Sequence, residues 1–140
     1  MRRFRLLTIA ALGVLALTAC GEELVIPSAA VGDCLQSSDL ESSVAQFSVV
    51  ECDTSHDAEV FALVDLAHSG EFDATTIIDE SNAACLARFE SYVGIDYNES
   101  VLLIRPVHPT QITWDAGDRQ TVCVVTSPEM VTESFASSEI

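Results

Sequence analysis

Three hydrophobic patterns follow one another along the chain. A continuous apolar run, residues 6–17, stands behind the basic start Met1-Arg2-Arg3-Phe4-Arg5. Next come stretches rich in β-branched and aromatic residues, separated by polar turns. They predict strands at 31–35, at 44–52 (with Phe47, Val49 and Val50) and at 59–66, with turns at 37–43 and 53–57. After His68-Ser69-Gly70 the period changes. Ile78, Cys85, Phe89, Tyr92 and Val93 fall on one face of a helix, Thr76-Ile77-Ile78-Asp79 has the form of a capping box, and Gly94 suits the left-handed position just past a helix end. Residues 100–105 read as a strand that stops at Pro106, 109–118 as a turn-rich linker holding Trp114, and 120–126 as the last strand. Residues 128–140 read as a loosely held tail. The expected fold is α+β, a small antiparallel sheet packed against one main helix.

The first pattern belongs to targeting rather than to the fold. A basic n-region, a short apolar run and small residues before a cut are the parts of a secretory signal. A spanning helix needs about 20 apolar residues, whereas only residues 6–17 separate Arg5 from Thr18. Leu17-Thr18-Ala19-Cys20 resembles the lipobox of bacterial lipoproteins. The resemblance implies removal of residues 1–19 and a diacylglycerol on Cys20, the new N-terminus. The tandem arginines fit twin-arginine export poorly, because Phe4 follows them at once. Residues 20–30 then form a short tether, and the expected location is the extracytoplasmic face of the cell membrane. The membrane is the one partner named by the sequence, reached through Cys20.

Composition narrows the function classes. Of six basic residues, Arg2, Arg3 and Arg5 leave with the signal, so three arginines face 22 acids and the mature chain carries −19 with histidines neutral. Such a field repels nucleic acid and anionic lipid headgroups, and suits solubility, basic partners or divalent cations. Of five cysteines, Cys20 is assigned to lipid, leaving Cys34, Cys52, Cys85 and Cys123. An even number in an oxidising compartment predicts two disulfides. No pair has the CxxC spacing of a redox centre, and Cys52 to His56 is the one close Cys–His spacing, so neither a metal nor a cofactor is expected.

Several marked residues come in a fixed order: Gly32-Asp33-Cys34, then Cys52 followed by His56-Asp57-Ala58-Glu59-Val60, then Cys85, then Trp114 with Gly117-Asp118-Arg119 ahead of Cys123. This order resembles the septum-formation domain of actinobacterial envelope proteins over residues 31–127, with Ser55 standing where that family often has proline. The resemblance implies an exported, disulfide-bonded α+β module tied to cell division or envelope assembly, with no catalytic mechanism to carry over. Beside it, the predicted elements place Cys34 and Cys52 on neighbouring strands and turn Cys85 from the helix toward Cys123 on the last strand. Cys34–Cys52 with Cys85–Cys123 is the most local of three connectivities and the one expected.

The remaining candidates have modest expected roles. Arg119 should form a structural ion pair with Asp33, Asp57 or Asp118, a ligand-binding arginine being the alternative. Trp114 should plug the core. His56, beside Asp57 and Glu59, could serve as a base or metal ligand, yet a hydrogen bond holding the turn is the simpler role. Three function classes follow: a non-enzymatic binding or scaffolding lipoprotein with an envelope protein partner, a carrier of cations or basic peptides, and a hydrolase built on His56. The first is expected, because no nucleophile has a supporting motif.

Overall fold

A computed structural model describes residues 28–41 and 47–140. The expected signal, Cys20 and most of the expected tether therefore lie outside the described residues. Four strands, β1 (Cys34–Leu35), β2 (His56–Asp65), β3 (Leu103–Val107) and β4 (Gln120–Val131), form one antiparallel sheet in the order β1-β2-β4-β3. One long helix, α1 (Ala74–Val93), packs on it, and a short helix, α2 (Gln111–Asp115), joins β3 to β4. The α+β fold with one main helix is thus established, together with both expected disulfides, Cys34–Cys52 and Cys85–Cys123. Among the described residues no helix is long and apolar enough to cross a membrane.

The sheet is buried on both faces, which explains why its central strands read as apolar runs rather than as alternation. On the helix side, Phe61, Ala62, Cys123 and Val125 meet Cys85, Phe89, Val93, Leu102 and Phe135. On the other side, Leu35, Ala58, Val60, Val122 and Val124 are covered by Ala29, Leu40 and Phe47 of the N-terminal segment. A register shift between Val60 and Ala62 sends both Phe61 and Ala62 to the helix side, as a bulge does.

Helix α1 starts earlier than the capping box suggests. Asp73 is its N-cap, accepting the Thr76 N–H at 2.7 Å through Oδ1. Its buried positions are Ile77, Ser81, Cys85, Phe89 and Val93, a strict i, i+4 ladder. Ile78 is therefore 39% exposed rather than on the stripe, and Tyr92 is only half-buried. The Cys85–Cys123 bond fixes the rotation of the helix against β4 and so selects the row containing Ile77. By the loop-entropy model, closures spanning 18 and 38 residues stabilise the fold by about 3 and about 4 kcal/mol.

Other boundaries also differ. No strand covers 47–52, where Val50 alone bridges Cys34, and residues 44–46 of that expected strand lie outside the described residues. The strand expected at 59–66 starts at His56, so His56 and Asp57 are strand residues rather than turn residues. β3 runs through Pro106, tolerated because it is an edge strand. Trp114 sits on α2 rather than in a linker, and Thr110 and Thr113 cap that helix reciprocally.

The largest correction concerns the C-terminus. The domain does not end at 127, nor is 128–140 a loose tail. β4 continues to Val131, opposite His56, after an irregular step from the Ala58–Thr126 pair that accommodates Pro128. Phe135 is 1% exposed in the helix-side core. The N–H groups of Ser137 and Glu139 then donate to the carbonyls of Tyr92 and Val93, at 2.7 and 2.9 Å. Those carbonyls belong to the last turn of α1, where no partner within the helix exists, so the tail completes the helix end. Gly94, at φ +93°, lets the chain leave there, and an added Cβ would press on Glu139 Cγ at 3.2 Å.

Candidate functional site

β2 positions the acidic motif, and alternation along it aims each side chain at a different segment. His56 is fully buried at the strand start. Its Nδ1 lies 2.8 Å from the Thr54 carbonyl and its ring meets Phe135 edge-on at 5.8 Å. Asp57 accepts both the N–H and the hydroxyl of Ser37 at 2.6 Å, tying β2 to the 3-10 turn Ser37–Glu41. Glu59, on the helix-facing side, has no solvent exposure. Its Oε1 accepts from the Tyr92 hydroxyl at 2.5 Å and from the Ser134 hydroxyl at 2.7 Å, and its Oε2 accepts the Phe135 N–H at 2.6 Å.

A buried carboxylate is costly unless hydrogen-bonded, and three donors answer Glu59 without a cation. Tyr92 feels the arrangement in return. Burial first, then the hydrogen bond to Glu59 and its charge, push the phenol pKa well above its ordinary value. Glu59 thus joins the sheet, α1 and the C-terminal segment at one point.

The glycine-aspartate-cysteine opening works as a turn. Gly32 takes φ +95°, the Asp33 carboxylate accepts the Ala30 N–H at 2.8 Å, and Cys34 begins β1. The Gly32 carbonyl oxygen stands 3.9 and 3.5 Å from the sulfurs of Cys34 and Cys52. Cys34 is fully buried, whereas Cys52, in the turn before β2, is partly exposed. A ring nitrogen of His56 and the two sulfurs lie within 4.8 Å of one another.

At the other end of the sheet, Trp114 is 3% exposed and its ring is covered on several sides. The Arg119 guanidinium lies 3.6 Å from the ring centroid, His68 stacks at 5.4 Å, and Phe72 meets it edge-on at 6.3 Å. The indole N–H donates to the Gly70 carbonyl at 3.1 Å. Trp114 is the core plug expected, with Leu66 and Ile77 beside it.

The ion pair expected of Arg119 does not form. Its Nη1 donates to the carbonyls of Trp114 and Asp118, both at 2.7 Å. Each expected carboxylate is engaged elsewhere: Asp33 with Ala30, Asp57 with Ser37, and Asp118 with the Gln120 N–H at 3.1 Å. A cation held on an aromatic face and two carbonyls needs no carboxylate. Arg119 also borders a shallow surface cleft with Gly70, Phe72, Gln111 and Asp115.

The structure therefore separates the candidates into two groups. Cys34, Cys52, His56, Asp57 and Glu59 gather at the start of β2, while Trp114, Asp118 and Arg119 gather around α2. Cys85 and Cys123 lie between them, and Cys20 lies outside the described residues. Sequence reasoning missed Tyr92, Ser134 and Phe135 as the partners of Glu59. The available signal was the carboxylate itself, set in an apolar strand where only a paired acid is tolerable, and Phe135 as the one aromatic residue among 128–140.

Comparison with curated proteins and with solved structures returned no match. The family model described as septum formation matches residues 31–139, which includes the packed C-terminal segment. Two disulfides mark the domain as extracytoplasmic. From the ordered cysteines, the β2 motif and the tryptophan-arginine stack to the terminal segment, this chain belongs to the septum-formation family.

Proposed function

We propose that the chain is a non-enzymatic lipoprotein, anchored through Cys20 on the outer face of the cytoplasmic membrane, that binds or scaffolds an envelope protein during septum formation. One observation carries the reading: the charged motif side chains are engaged with the chain's own groups. Asp57 holds Ser37, Glu59 holds Tyr92, Ser134 and Phe135, and Arg119 holds Trp114 and the Asp118 carbonyl. Catalysis would need such groups aimed at a substrate. Their role here is to fix a rigid platform, and recognition then falls to its surface.

The family description supports the process, and the disulfides support the compartment. In-cell crosslinking of the native chain, followed by co-purification, tests the proposal. An envelope or division protein should be captured, and Cys20→Ser should diminish the capture by releasing the chain from the membrane. Recovery of a membrane-held chain with no envelope protein bound would count against it.

A further inference from the structure

We propose that Cys34, Cys52 and His56 form a reducible Zn²⁺ site, closed as a disulfide in the oxidised chain and open to the metal when the sulfurs are reduced. The three side chains are already gathered, the two sulfurs by their own disulfide bond, with one atom from each residue within 4.8 Å of the others. Two thiolates and an imidazole are a soft, borderline donor set that selects zinc over calcium or magnesium, and three protein ligands leave a fourth position for water.

His56 supplies the independent sign. Its Nδ1 faces the Thr54 carbonyl at 2.8 Å, and a carbonyl can only accept, so Nδ1 carries the proton. In the neutral ring the lone pair is then on Nε2, which is buried and has no hydrogen-bond partner. A buried polar atom without a partner is unusual. A histidine whose one nitrogen donates to a backbone carbonyl while the other stays bare is the arrangement found at metal sites.

The two disulfides differ in accessibility. Cys85 and Cys123 are both fully buried, whereas Cys52 is partly exposed in a turn. A dithiol reductant can reach it. The donor's thiolate attacks Cys52 Sγ, the S–S bond breaks, and Cys34 leaves as the thiolate. The donor's second thiol then displaces Cys52, taking the mixed disulfide to its own disulfide, so two electrons pass to the chain. Zn²⁺ binding next releases any proton held by the two sulfurs. To admit the metal, the separated sulfurs must each stand about 2.3 Å from zinc, a local movement of the turn holding Cys52.

The test uses the full chain in detergent, reduced mildly with a phosphine that is then removed without air. Peptide mapping after alkylation should find Cys34 and Cys52 modified and Cys85 and Cys123 protected, with Cys20 followed separately. One equivalent of Co²⁺ should give thiolate charge-transfer and tetrahedral ligand-field bands, which Zn²⁺ abolishes. His56→Ala should weaken binding by at least about a hundredfold, beyond what loss of an outer-shell partner costs. Zn²⁺ should also shield Cys34 and Cys52 from alkylation in the native sequence, a readout that stands even where the variant fails to fold. Absence of that shielding, absence of the thiolate band, or equal binding by the oxidised chain would overturn the proposal, as would unfolding on reduction.

Discussion

Changing Glu59 to Gln tests how the C-terminal segment is held, with almost no change of shape. The carboxylate accepts three hydrogen bonds with no solvent exposure. An amide oxygen can still accept the Phe135 N–H, leaving the amide nitrogen to face Tyr92 and Ser134, whose hydroxyls can turn to accept. What is lost is charge assistance. Hydrogen bonds to charged groups contribute about 1.5–3 kcal/mol against about 0.5–1.5 for neutral ones, so three bonds lose about 3–4.5 kcal/mol gross. Relief of carboxylate desolvation returns part of this, for a net loss of about 1–3 kcal/mol.

In a domain of this size, that lowers Tm by about 4 °C per kcal/mol. Urea unfolding measures the free energy, and hydrogen exchange at the Phe135 amide reports the local bond. Protection there should fall more than at Val124 in mid-sheet. Unchanged stability together with unchanged Phe135 protection would refute the reasoning, and the anchor would have to be the Phe135 side chain alone.

Phe135→Ala should cost about 3–5 kcal/mol, the usual range for a buried phenylalanine, and should expose the segment after Val131 to limited proteolysis. The raised phenol pKa of Tyr92 makes stability fully present below the unfolded value of about 10 and lost as pH rises beyond it. Alkaline unfolding curves should show that loss, and Tyr92→Phe should reduce it. Cys20→Ser should move the chain from the detergent phase to the aqueous phase, a partitioning assay that bears directly on the anchor. Ca²⁺ titration should give only weak binding that salt abolishes, as expected of screened surface charge.

Much of the architecture was legible because it depended on short-range signals. Helical spacing located α1, cysteine number and position yielded both pairings, and the order of marked residues pointed to the family. Less was legible where the deciding contact was distant. Asp73 displaced Thr76 as cap because both are good starters and only packing selects between them. Ile78 lies seven and Ile77 eight residues before Cys85, and both spacings suit one helix face until packing fixes the rotation. The Arg119 ion pair was inferred from abundance of carboxylates, yet an aromatic face close in sequence outcompeted them. The terminal segment was hidden for the same reason. Its composition is polar, and what orders it is a carboxylate 76 residues away.

The place of β4 in the sheet sets a timetable for a chain that emerges from its N-terminus. β4 comes last in sequence yet pairs with both β2 and β3. Until it arrives, β3 has no neighbour, Cys85 has no partner, and the end of α1 lacks the N–H groups of Ser137 and Glu139. Cys34 and Cys52, only 18 residues apart, can be oxidised much sooner. The sheet therefore cannot close until β4 is available to pair. The second disulfide, which needs Cys123 on β4, marks the arrival of that strand beside the helix.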